Sequence, residues 1–288
     1  MAALRSSGTW GSALSADEFA AIRSVGCEPV GQVFGAAVYN AGASAYGCPG
    51  APRSPGRGSP PRPATEVSGD GGAASFGPLV QAMDQARHSA IDRMMTECAQ
   101  LGGHGVVGVH VSRDAFLGGA QFTVIGTAVR APGAADGQSA PFTSDLSGQD
   151  FAKLITAGWV PVGLALGISI GSRHDDRGTN RQARWISGNA EVAGWTELVN
   201  QVRHDARRQL ERDVGRLGAE GVVIAAMQLQ IRERDCPVQV GRHDHIVEAS
   251  LIGTAVAGFP RAEQRADGPP LAIMSLDPHR RQAARIRL

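Results

Sequence analysis

The 288-residue chain is short of several things, and each shortage narrows what it can be. It has no apolar run of about 18 residues or more, so no bilayer-spanning helix is expected. The opening MAALRSSGTWGSAL has no continuous apolar segment, so no secretory signal is expected and the chain is read as cytoplasmic. Cysteine is scarce: Cys27, Cys48, Cys98 and Cys236 lie far apart without a Cys-x-x-Cys pair, which argues against a disulfide framework or a zinc ribbon. Net charge is nearly absent as well, and a formal +1 gives no pull toward nucleic acid or an anionic membrane. Lys153 is the only lysine among 28 basic residues; the arginines are scattered and matched by 27 acids, which reads as coding bias. No nucleophile elbow, paired-His metalloprotease helix or phosphate loop occurs, and the chain is read as non-enzymatic. What it does have is 42 % hydrophobic residues, enough for a core, and 38 unevenly placed glycines.

Self-similarity organises the rest. Leu14-Ser15 through Phe19-Ala20 returns as Leu146-Ser147 through Phe151-Ala152, and Gly26-x-x-Pro29-Val30-Gly31 as Gly158-x-x-Pro161-Val162-Gly163. Arg87-His88 returns as Arg203-His204, and Leu101-Gly102-x-x-Gly105-Val106-Val107 as Leu217-Gly218-x-x-Gly221-Val222-Val223. Ile125-Gly126-Thr127-Ala128-Val129 is repeated unchanged at 252–256. Blocks recurring in one order imply two copies of one module.

Each block predicts the same element in both copies. Ser15 with Glu18 forms a capping box that opens a short helix, and Ser147 with Asp150 a weaker one. Residues 26–39 and 158–170 read as a first strand. A long helix follows over 78–101 and 192–217, with Met83, Ala86, Ala90, Met94 and Cys98 in one copy and Val202, Ala206 and Leu210 in the other forming a buried stripe. Two strands close each copy, over 105–112 and 121–130 and over 221–231 and 246–257. The expected fold class is therefore α+β: two tandem β-α-β-β modules, each with one long helix. The first module spans 1–130, with a Pro/Gly-rich insertion at 42–75 read as disordered. Residues 131–143 link it to a second module at 144–258, whose polar loop 171–191 contains Trp185 and Ile186, and 259–288 form a basic tail.

These blocks resemble the YbjQ-like family, small bacterial proteins labelled as heavy-metal-binding. The resemblance rests on Ala86-Arg87-x-x-Ala90 leading into Leu101-Gly102-x-x-Gly105-Val106-Val107-Gly108-Val109, closed by Gly126-Thr127-Ala128-Val129; copy two has Ile224 in place of Gly108. It implies a three-stranded antiparallel sheet packed on one long helix, a dodecin-like architecture, with modules assembling into a ring of five. Two modules per chain cannot fill one such ring with whole chains. Five chains supply ten modules, so a homo-oligomeric pseudo-decamer is expected, its unpaired sheet edges satisfied by neighbours.

Chemical candidates are few. The string Gly103, Gly105, Gly108 has dinucleotide-loop spacing, but it ends a helix and opens a strand, the reverse of that fingerprint. Cys236, His243 and His245 cluster near the last turn, with Asp244 among them. Thiolate with two imidazoles on one strand face suits zinc or copper. His88 and His204 occupy equivalent positions and form a second candidate metal set, as a ring at a subunit interface. His174-Asp175-Asp176 reads as a solvated loop. In the tail, Leu271, Ile273 and Leu276 followed by Arg280 and Arg281 read as a partner-binding segment. Three function classes follow: a ring-forming scaffold or ligand-binding protein, a heavy-metal binder, and an enzyme whose site would need a pocket lined by both copies.

Overall fold

Ser15 Oγ accepts from the Glu18 N–H while Glu18 Oε2 accepts from the Ser15 N–H at 2.8 Å, and this reciprocal cap opens α1 (Ala16–Ser24). In the computed structural model, residues 11–40, 65–69, 76–116, 119–131, 140–183, 188–236 and 241–259 are described. After α1 come β1 (Glu28–Tyr39), β2 (Thr65–Val67), α2 (Gly77–Gln100), β3 (Gly105–Phe116), β4 (Gly119–Arg130) and β5 (Phe142–Thr143). The chain continues through α3 (Gly148–Thr156), β6 (Trp159–His174), α4 (Arg177–Gln182), α5 (Ala193–Arg216), β7 (Gly221–Asp235) and β8 (His243–Gly258). Most of the 42–75 insertion, Trp185, Ile186 and the tail with Leu271, Ile273, Leu276, Arg280 and Arg281 lie outside the described residues.

The architecture is mixed α+β with two sheets. The first runs β1-β4-β3-β5 and the second β2-β6-β8-β7; every pairing is antiparallel except β3 with β5. Each sheet thus has four strands where three are expected. The extra ones are short and fall inside the presumed insertion and linker, where tertiary pairing rather than local pattern makes a strand. Glu66 and Val67 of β2 are buried against β6, and the Ser68 N–H donates to Ile170 O at 2.9 Å.

Four layers stack: first sheet, α2, second sheet, α5. Val33, Ala37, Phe122, Val124 and Ala128 of the first sheet form one core with Met83, Ala90 and Met94 of α2. The same core takes in Leu164, Leu166, Ile168 and Ile170 from one face of β6. The other faces of β6 and β8, with Ala165, Val247, Ala249 and Leu251, pack on Leu198, Val202, Ala206 and Leu210 of α5. Lying between two sheets, α2 buries more than the expected stripe, including Arg87 and Ile91. Among the described residues α5 has a sheet on one side only, and Arg203 and Arg207 are exposed. A third core joins α1 and α3 through Ile22, Val107, Val129, Leu146 and Phe151.

Each sheet meets its own helix through the same contacts. The Phe34 N–H donates to Glu97 Oε2 at 2.6 Å and the Leu166 N–H to Asp213 Oδ2 at 2.9 Å, linking β1 to α2 and β6 to α5. Beside them Gly35 and Gly167 lie so close to helix backbone, at Ala90 and Ala206, that neither has room for a Cβ. The Ser12 and Thr127 hydroxyls are bonded at 3.3 Å, and those of Ser144 and Thr254 at 3.1 Å. The seam between α2 with the first sheet and the second sheet is polar at one end. There Arg87 Nη1 donates to Ser250 Oγ at 3.2 Å, and Arg113 chelates Glu248 at 2.5 and 3.1 Å around a cavity of about 270 Å³. The described residues up to Gly258 form one compact unit.

Candidate metal centre

Strand register builds the site. β6 pairs with β8 so that His174 stands opposite Asp244, and β7 pairs with β8 so that Arg234 faces Asp244 from the other side. Cys236 follows β7, and its N–H donates to Arg242 O at 2.8 Å, closing that end of the hairpin. One ligand atom each from His174, Cys236 and Asp244 lie within 4.8 Å of one another. The group is well buried: Asp244 is fully enclosed, Cys236 is 7 % exposed and the His174 side chain 13 %. His174 Nδ1 and Asp244 Oδ1 are 2.8 Å apart, and Arg234 Nη2 is 3.4 Å from Asp244 Oδ2, which offsets the cost of enclosing the carboxylate. Thiolate, imidazole and carboxylate on a closed strand end suit a borderline-soft cation such as zinc, and three protein donors leave a coordination position open.

The expected set of Cys236, His243 and His245 is divided between two faces. Alternation along β8 places His243 and His245 on the α5 side, where Val247 and Ala249 also pack, and Asp244 on the other. His245 Nδ1 lies 3.1 Å from Asp175 Oδ1; Trp195 Nε1 donates to the same oxygen at 3.2 Å, and the Trp195 and His245 rings are 4.3 Å apart. His243 Nδ1 faces Glu233 at 3.2 Å and Asp235 at 3.3 Å. Asp175, Trp195, Glu233, His243 and His245 line a cleft of about 750 Å³. His174 is the candidate ligand that sequence reasoning missed. The first strand of the second half runs to His174 rather than ending near 170, and extending it by those residues sets His174 against the start of the last strand.

Within one chain His88 and His204 stand on different helices and are not brought together. His88 Nδ1 contacts Asp84 O at 2.9 Å and its Nε2 lies 3.7 Å from Asp213, whereas His204 is exposed on α5. The glycine string and Gly102 before it shape the backbone between helix and strand. Gly102 and Gly108 have φ of +70° and +66°, ending the helix and bulging β3. Burial pushes the Cys98 thiol up to about 11 and raises that of Cys27.

A family model described as YbjQ, "Putative heavy-metal-binding", matches residues 71–132. The His174, Cys236 and Asp244 trio lies outside that segment. A curated relative, the encapsulin nanocompartment protein Rv1762c of Mycobacterium tuberculosis (strain ATCC 25618 / H37Rv), is 33 % identical over 219 residues, covering 73 % of this chain and 74 % of the relative. No helix among the described residues is long and apolar enough to cross a membrane. On that identity and coverage the chain belongs to the family of the mycobacterial encapsulin nanocompartment protein, and it carries a YbjQ segment at 71–132.

Proposed function

We propose that the protein is a non-enzymatic, cytoplasmic scaffold that assembles with copies of itself, built from two tandem YbjQ-like, dodecin-like modules. The observation that carries this reading is the outer face of the first sheet, left exposed among the described residues. Leu166, Ile168 and Ile170 of the second sheet are buried against α2, whereas Phe34 and Val38 on the corresponding face of β1 are 50 % and 57 % exposed. A folded monomer seldom leaves large apolar residues grouped on a sheet face, and such a patch marks an interaction surface. The recurring strand-to-helix bonds and hydroxyl pairs support the tandem reading, and the name of the mycobacterial relative supports assembly. Ten modules from five chains make the favoured particle. Light scattering on the purified chain at micromolar concentration is expected to give about five times the 29.9 kDa chain mass; a monomer would overturn the scaffold reading.

A second reading, heavy-metal binding, is favoured by the convergence of His174, Cys236 and Asp244. Metal analysis after tag-free purification is expected to find zinc or copper in a fixed ratio to the chain. Cys236→Ser and His174→Ala should lose it and His243→Ala keep it, since His243 stands on the other face. Retention of metal by both of the first two variants would remove this site.

A further inference from the structure

Resting on the scaffold reading, we infer that copies join head to tail: the α5 and β7 side of one chain seats on the outer face of the first sheet of the next. The interface inside the chain is the template. There one helix with its neighbouring strand, α2 and β3, lies against the outer face of the second sheet.

Residues that correspond through the shared strand-to-helix bonds show what the outer contact contains. Phe34 holds the place of Leu166 and Val38 that of Ile170, because Gly35 and Gly167 sit alike under their helices. On the other side, β3 corresponds to β7. Val111 packs on the core of the seam, while Met227 is 52 % exposed, Leu229 38 % and Ile231 59 %. These residues pair with Leu251, Ala249 and Val247 of β8, so they share the sheet face covered by α5 but extend beyond it. Phe34 with Val38, and Met227 with Leu229 and Ile231, are therefore two exposed apolar patches, the two unmatched halves of an interface the chain already contains once.

The polar parts correspond as well. Arg113 chelates Glu248 across the internal seam; Leu229 stands in place of Arg113, and Gln121 in place of Glu248, so the outer contact buries no charge pair there. Arg203, exposed on α5, holds the place of Arg87, and Thr123 that of Ser250, so the internal arginine-to-hydroxyl bond has an external counterpart. Because the two surfaces differ, the contact is heterologous and propagates from chain to chain until a ring closes.

Two charge-introducing variants of the full chain test this: Phe34→Glu on one face and Leu229→Glu on the other. Both positions are exposed in the single chain, so folding is expected to persist, and an unchanged circular dichroism spectrum checks it. Each variant alone is expected to fall to the mass of one chain. An equimolar mixture, in which each variant keeps one intact face, is expected to give a dimer of twice that mass. The head-to-tail contact is overturned if either variant keeps the wild-type mass or if the mixture stays monomeric. Val38→Glu and Met227→Glu repeat the test should a first variant fail to fold. A monomeric wild type would sink the scaffold reading itself, whereas an oligomeric wild type whose variants stay assembled would sink only this surface.

Discussion

Asp244 has no solvent exposure, and its carboxyl group lies between His174 and Arg234. Removing one member of such a group strands the others, which typically costs about 3–5 kcal/mol. Asp244→Ala is therefore expected to lower unfolding free energy by about that amount in urea titration, and Asp244→Asn by less, since the amide still accepts from the imidazole. An Asp244→Ala loss below about 1 kcal/mol would mean that the group is solvated and the site open. Cys98 is inert for a different reason. Its thiol is pushed up to about 11 by burial and donates to Gly105 O at 3.4 Å, so it should resist alkylation at neutral pH until the chain unfolds. Mass spectrometry of thiols labelled with and without denaturant checks this. Much of this chemistry was legible in the sequence as the grouping of Cys236 with His243, Asp244 and His245. Which of them converge was not, because strand alternation sorts neighbours onto opposite faces and only the register of β6 against β8 brings in His174.

Helices α2 and α5 and the six long strands follow from periodicity and start within a few residues of where the sequence places them, because buried stripes and cap glycines are local signals. β2, β5 and α4 were not legible; pieces of two to six residues exist only because a partner strand or helix end holds them. β7 was undershot because its charged end, Arg232 to Asp235, needs no apolar alternation at a sheet edge. The close helix-on-strand approach at Gly167 gives a direct test. A methyl there meets the α5 backbone at Ala206, so Gly167→Ala should cost about 1–3 kcal/mol through overpacking, read as a lowered melting temperature. The α1 cap gives a pH test. The Ser15 N–H, then the Ser15 hydroxyl and the Gly148 N–H, hold the Glu18 carboxyl below its usual range, with burial opposing only in part. A depressed folded-state value means that stabilisation is in place at neutral pH and is lost as pH falls through that depressed value. Glu18→Gln should accordingly flatten the acid limb of stability against pH, measured by denaturant titration; an unchanged limb would show that the cap carries no linkage.

At the scale of the molecule, the layering decides how it unfolds. α2 is shared: its core takes in residues from the first sheet and from β6 of the second, and Arg113 with Glu248 crosses the same seam. Neither half can open without exposing apolar surface of the other, so residues up to Gly258 should melt in one transition despite the recurring pattern of their halves. With Trp10 replaced by Phe, the remaining tryptophans, Trp159 and Trp195 among them, report on the second half, while Phe122 lies in the first sheet with Val124 and Ala128. Phe122→Ala removes a large buried ring and should cost about 3–5 kcal/mol. If the halves are coupled, tryptophan fluorescence must register the whole loss even though the mutated site is on the other sheet, and its melting curve must coincide with that from far-ultraviolet circular dichroism. If they are independent, the fluorescence midpoint will stay at the wild-type value while part of the dichroism melts early, and α2 would then be a spacer rather than a shared core.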